Sequence, residues 1–268
     1  MAQRKQLMGR SYVVYYGRGP LAGIESYDVA VLEPQGWTTP QLRALQAKSV
    51  SCLAYLSALE VPDWRVSQAG LTDGDFLRVD GQHWIKEPFG NRLARPDAKH
   101  WRDVLNREAD SLYRAGWDGL FLDTLGDVED PVLLDKAPGL VAQTADLMRV
   151  LSFAFPDRPI LVNNGLWRIV PLIADYISGV CWEGNLTPEL LKEPWAQAMI
   201  DFLGRHAQER GWVNMMLTRI DGTSIAATKS LVRFMEEADR YGFLSYAAPG
   251  NYAEAIRLRD GRVVGPHA

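Results

Sequence analysis

Two short apolar runs in this chain close on a carboxylate. One is Phe121-Leu122-Asp123, reached through Gly116-Trp117-Asp118-Gly119 and followed by Thr124-Leu125; the other is Ser178-Gly179-Val180-Cys181-Trp182-Glu183. A buried strand gains no stability from an acid at its end, because withdrawing a carboxylate from water is costly. Such acids persist where a site needs them. Two carboxylates flanking a glycosidic bond form a hydrolytic machine: one protonates the leaving oxygen while the other attacks the anomeric carbon or activates water. Asp123 and Glu183 are the candidate catalytic pair. The plainer readings are a helix cap or loop acid for Asp123, and a surface acid before the Gly184-Asn185 turn for Glu183.

The ends of the other apolar runs narrow the chemistry. They offer Tyr15 and Tyr16, then Glu33, then Tyr55 with Ser57 and Glu60, then Asn163 and Asn164. Trp182, Thr218 with Arg219, and Tyr246 follow. No His stands at a strand end, which argues against an imidazole metal site and against Ser-His-Asp chemistry. No Lys stands there either, which argues against a Schiff base. Flat rings with acids and amides between them suit a sugar, whose faces stack and whose hydroxyls take directional hydrogen bonds. Tyr16, Glu33, Tyr55, Glu60, Asn163, Asn164, Trp182, Arg219 and Tyr246 are the candidate substrate-binding residues. Their alternatives are core packing for Tyr16 and Trp182, rim salt bridges for Glu33 and Arg219, and turn geometry for the two asparagines. A hard cation held by Glu33, Glu60 and Asp123 is a minor alternative; the main reading has no metal and no cofactor.

Strands and helices must carry these groups to one place. Strand-like runs occur at 11–17, 28–34, 50–60, 119–124, 159–164, 179–183, 212–219 and 243–249, rich in Val, Tyr and Leu. Helical signals fall between them: Thr38-Thr39-Pro40 opens one, 98–115 has a periodic apolar face, and 139–155, 167–176, 187–210 and 224–241 follow. Residues 61–97 break the rhythm with no sustained period, and 257–268 read as a short terminal hairpin. Alternation predicts an α/β class, and eight strands without a Gly-rich phosphate turn predict a single (β/α)8 barrel over 1–268 with a long insertion after strand 3. The active face is then the carboxyl end of the strands, and the insertion at 61–97 is expected to wall the cleft with Trp64 or Trp84 as a stacking platform.

The composition of the 268 residues agrees: 47% are hydrophobic and 23% charged, ample for a large core. A net charge of −4 without a basic run gives no sign of a nucleic-acid partner, and none is expected. Two cysteines, Cys52 and Cys181, are expected as buried thiols, and four His leave no metal-binding spacing. No apolar run nears the ~18–20 residues needed to span a membrane. The polar stretch 1–10 lacks the apolar core of a signal peptide, so the expectation is cytoplasmic unless a leader has been removed.

The chain resembles the endo-α-1,4-polygalactosaminidase glycoside hydrolases and related hydrolase domains that trim galactosamine-rich exopolysaccharide. The likeness rests on Tyr27-Asp28-Val29-Ala30-Val31-Leu32-Glu33, on Ala54-Tyr55-Leu56-Ser57-Ala58-Leu59-Glu60, and on Gly116-Trp117-Asp118-Gly119-Leu120-Phe121-Leu122-Asp123-Thr124. Asn163-Asn164-Gly165 and Gly179-Val180-Cys181-Trp182-Glu183 continue it in order. The resemblance implies a cofactor-free (β/α)8 barrel acting on α-1,4-linked galactosamine or N-acetylgalactosamine polymers. Asp123 would be the nucleophile and Glu183 the general acid/base. Two turns depart from the family pattern, Ser57-Ala58-Leu59-Glu60 and Glu33-Pro34, and they bear on polymer preference. An acidic rim of Glu33, Glu60, Asp127, Glu129 and Asp130 would suit a cationic, partly deacetylated chain. The competing function is a carbohydrate-binding barrel without turnover.

Overall fold

The computed structural model describes residues 6, 7 and 9–265; most of the polar amino-terminal stretch read for a leader, and His267, lie outside them. Eight strands run in chain order: β1 (Tyr12–Tyr15), β2 (Val29–Leu32), β3 (Ser51–Ser57), β4 (Gly119–Asp123), β5 (Ile160–Asn163), β6 (Gly179–Glu183), β7 (Val213–Arg219) and β8 (Leu244–Ala248). Each pairs in parallel with the next. Strands buried on both faces need continuous apolar runs, and β1, β2 and β5 are buried at every position.

The sheet curls into a nearly closed barrel. β1 and β8 lie side by side, but no ladder joins them among the described residues. Two other bonds bridge that seam region: the Tyr12 hydroxyl donates to the Met216 carbonyl at 2.6 Å, and the Tyr16 amide to the Tyr252 carbonyl at 2.7 Å.

Helices α1 (Thr39–Gln46), α3 (Lys99–Ala115), α5 (Leu140–Ala154), α7 (Pro194–Arg210) and α8 (Ile225–Arg240) cover the outside, with short α4 (Pro131–Lys136) and α6 (Ile169–Ile173) between them. Thr38 and Gln41 form a capping box on α1, satisfying amides left free by its first turn. On α3 the periodic face is buried as Trp101, Val104, Leu105, Ala109 and Tyr113. The α3 helix ends on Gly116 at φ 102°, a left-handed stop that only glycine adopts cheaply.

Two element expectations need correction. The Thr187 signal caps only a 3₁₀ turn, and α7 begins at Pro194, where a ring without an N–H fits a first helical turn but no later one. Residues 61–97 are not irregular. They form helix α2 (Asp63–Ala69), a three-stranded antiparallel sheet of Glu60–Val61, Asn91–Leu93 and Ile85–Lys86, and a hairpin pairing Arg78–Val79 with Gln82–His83. Strands of two or three residues are too short to display an alternating pattern. The carboxyl-terminal hairpin pairs Ile256–Arg257 with Val263–Val264.

Candidate functional site

Strand register decides which side chains meet at the barrel mouth. Ser57 on β3 stands opposite Asp123 on β4, and Asn163 on β5 opposite Cys181 on β6. The carboxyl ends of β3 to β6 therefore converge. The Asn163 side chain, 2% exposed, donates through Nδ2 to Asp123 Oδ1 at 3.0 Å and to Glu183 Oε2 at 2.6 Å. One amide nitrogen bridges the two acids singled out from the sequence. The bridged oxygens cannot lie farther apart than the sum of those two contacts.

Asp123 accepts two further bonds, from the Tyr55 hydroxyl at 3.0 Å and the Thr124 amide at 2.8 Å. Burial nevertheless pushes its carboxyl above the ordinary value; the Asn163 donor pulls it back, and the Glu183 charge raises it again. Glu183 is gripped on its other oxygen by the Tyr252 hydroxyl at 2.5 Å. Its amide is held by the Asn164 side-chain oxygen at 2.9 Å, with Asn164 itself in the left-handed region at φ 55°. Asn164 thus satisfies a turn, whereas Asn163 faces the acids.

Thr124 locks the β4 terminus. It holds a left-handed φ of 70°, an uncommon conformation for a β-branched residue, and one found where surrounding structure imposes it. Its hydroxyl oxygen accepts from the Leu59 and Glu60 amides at 2.9 and 3.2 Å and donates to the Asp123 carbonyl at 2.6 Å. The Ser57-Ala58-Leu59-Glu60 turn is bolted through Thr124 to the acid beside it.

A cavity of about 400 Å³ opens over this centre, lined by Glu60, Asp123, Asp127, Asn163, Trp167, Trp182 and Trp195 among others. Trp182 is buried, and its ring centroid lies 5.8 Å from that of Trp195, which lies 5.8 Å from Trp167. Trp167 and Trp195 keep 54% and 42% of their surface exposed, leaving faces for a ligand. Across the mouth, the Tyr16 ring packs against Tyr55 and Tyr252 at 4.6 and 5.4 Å.

The remaining acids divide by role. Glu129 accepts from the Trp167, Arg168 and Ile169 amides and so fixes Trp167, while Asp130 caps α4. Asp127 pairs with Lys86 of the insertion at 2.9 Å. Its carboxyl is pushed up to about 7, by burial first and by Glu60 of like charge, with Lys86 opposing both. Glu60 accepts from Asn91 at 2.8 Å. Among the described residues no group of three or more His, Cys, Asp or Glu is placed to hold a metal ion, so Glu33, Glu60 and Asp123 form no such set. Both cysteines are buried thiols.

Three candidates fall outside this assembly, the first being Glu33, which lines an adjoining cavity from the turn after β2. Arg219 is exposed and pairs with the equally exposed Asp221 at 3.3 Å on the rim. Tyr246 is 4% exposed, packs against Tyr12 and Tyr27, and its oxygen accepts from the Arg257 amide, in a different cavity that Arg10 and Phe243 line. The tyrosine that reaches the acids is Tyr252, in the loop after β8 and six residues beyond Tyr246. Trp167 in the turn after β5, Trp195 in the first turn of α7, and Lys86 and Asn91 on the short strands of the insertion also lie beyond the barrel strand ends. The one signal for Tyr252 was the Gly250-Asn251 turn just before it, which reverses the chain over the mouth.

No family model matches the chain, and no curated protein does. Solved structures do. The glycoside hydrolase domain of PelA from Pseudomonas aeruginosa superposes with a TM-score of 0.72 at 20% identity, over 90% of this chain and 94% of that one. Aspergillus fumigatus Ega3, in complex with galactosamine, gives 0.71 at 13% identity over 92% and 94%. An α-galactosidase from Thermus thermophilus gives 0.58 at 10% identity over 98% and 67%. At these identities the likeness establishes the fold alone, which is the (β/α)8 barrel described above.

Proposed function

We propose that this protein is a glycoside hydrolase that cleaves α-1,4-linked galactosamine or N-acetylgalactosamine polysaccharide within the chain and with retention, through Asp123 and Glu183. The observation that carries the reading is the Asn163 amide bridging both acids, with Asn163 and Asp123 in the lining of an aromatic cavity. Those two contacts bring the bridged oxygens closer than the roughly 6.5–9.5 Å of an inverting pair, which supports the roughly 5–5.5 Å arrangement of retaining enzymes. The likeness in fold to the PelA domain and to Ega3 agrees with it.

In this reading Asp123 Oδ2 or Oδ1 bonds to the anomeric carbon as the glycosidic C–O bond breaks, and Glu183 gives its proton to the departing oxygen. Water then attacks the same carbon, Glu183 takes the water proton, and Asp123 is released. Asp123 must be ionised to attack, yet burial and Glu183 favour its protonated form. An ammonium sugar seated nearby resolves that conflict, since a cation lowers a neighbouring carboxyl and lets the proton reside on Glu183. Residues 61–97 wall one side of the cleft, placing Lys86 and Asn91 beside Asp127 and Glu60.

The test is direct. Asp123→Asn and Glu183→Gln should each cut turnover of partly deacetylated α-1,4-galactosamine polymer by more than about a thousandfold, with thermal unfolding within a few degrees of wild type. Hydrolysis near the wild-type rate in either variant removes the pair. Binding of oligosaccharide by the wild type without any product would leave a carbohydrate-binding barrel instead.

A further inference from the structure

Another cavity, of about 490 Å³, adjoins the first where Glu60 lines both, and Tyr55, the partner of Asp123, stands in its wall. It lies between the α2 helix of the insertion, the α3 helix and the Glu33-Pro34-Gln35 turn after β2. Nothing in the two-acid centre requires it. Trp64 on α2 lines it and is 54% exposed, a large ring left in water although Trp101 beside α2 is wholly buried. Gln68, one turn along α2, and Asn91 add amide groups.

Its charge has a direction. Glu108 and Arg65 neutralise each other in a bidentate pair, with Arg65 also laid over the Trp101 ring. Arg107 lies on the α3 side. Glu33 and Glu60 remain among the lining, and the Glu33 carboxylate takes one backbone donor, the Gln35 amide at 3.3 Å. Burial raises the Glu33 carboxyl above its ordinary value, so its charged form lacks a full complement of partners there.

We propose that this cavity is a further carbohydrate subsite, which takes a cationic amino-sugar unit of the same chain whose cleaved bond lies over Asp123 and Glu183. The inference rests on the hydrolase reading above. Trp64 supplies the stacking face, Glu33 receives the ammonium, and Gln68 takes hydroxyls. The tryptophans of the first cavity hold the chain beyond the other end of the pair, so the acids stand between two grips, which is the requirement for cutting within a polymer.

The experiment uses Trp64→Ala and Glu33→Gln in the full chain, with galactosamine oligomers of graded length. Hydrolysis and calorimetric binding are measured together, binding on the Asp123→Asn background. The expected result is that each variant lowers kcat/KM for a long oligomer about tenfold more than for the shortest cleaved one, and weakens long-oligomer binding to a similar degree. Equal losses at all lengths, or none, overturn the subsite while leaving the hydrolase intact. If the wild type binds long oligomers without cutting them, the hydrolase reading fails and the dependence of binding on Trp64 still decides the subsite. If the wild type neither binds nor cuts them, both readings fall.

Discussion

At the scale of single residues, the site is a contest over protons. Asp123 is raised by burial and by Glu183, so kcat/KM should rise with pH through a limb lying above the ordinary carboxylate range, because only ionised Asp123 attacks. Replacing Glu183 by Gln removes the like charge and should move the Asp123 titration to lower pH. Carboxyl carbon NMR of that variant reads it, and an unmoved titration would show the two acids to be uncoupled. Tyr252→Phe deletes the donor to Glu183. A hydrogen bond to a charged group is worth about 1.5–3 kcal/mol, so turnover should fall about ten- to a hundredfold with the fold retained; a variant as active as wild type would make Tyr252 a bystander. Asp123 and Glu183 were legible because an acid closing an apolar strand is costly and therefore conspicuous. Tyr252 was not, since it sits in a loop and packs like any half-buried ring. Tyr246 misled for the opposite reason: alternation along β8 gives each side chain one of two faces, and strand-end position alone does not say which.

At the scale of elements, the stretch Gly116-Trp117-Asp118-Gly119 explains how an acid is delivered to the mouth. Gly116 ends α3, Trp117 is buried, and Asp118 accepts from the Cys52 amide and the Gln46 side chain, tying β4 to β3 and α1. Gly119 then passes so close to β5 that an added Cβ would stand 2.7 Å from the Pro159 carbonyl. Gly119→Ala should therefore cost about 1–3 kcal/mol of stability, measured by denaturant unfolding, with activity per folded molecule largely kept. An undiminished midpoint would show that β5 yields freely. The proposed reaction uses only Asp123, at the far end of β4; the stretch before it is joinery. The eight strands were readable because their middles are buried and largely apolar, with polar residues mostly near the ends. The insertion was not, because its sheet is made of pieces of two or three residues held by pairing with one another rather than by any periodic face.

At the scale of the whole molecule, the small net charge hides an uneven distribution. Glu60, Asp123, Asp127 and Glu183 crowd the mouth with Lys86 set among them. Asp127 carries a measurable consequence. Its folded value of about 7 lies well above that of an ordinary aspartate, so between those limits the native state holds a proton that the unfolded chain has released. Stability should thus fall as pH rises from about 4 to about 7, and Asp127→Asn should flatten that slope in pH-dependent melting. An unchanged slope would place the titrating group elsewhere. Among the described residues no helix is long and apolar enough to cross a membrane. The barrel also has a weak side. β1 and β8 touch without a ladder, and the Tyr16 amide reaches instead to the carbonyl of Tyr252, whose hydroxyl holds Glu183. The least firmly stitched joint of the barrel and the grip on one acid are a single residue. Breathing at that joint should draw the tyrosine away before any helix melts. The proposed hydrolysis should therefore be lost on warming some degrees below the temperature at which the circular dichroism is lost, and coincident losses would show the joint to be as firm as the rest.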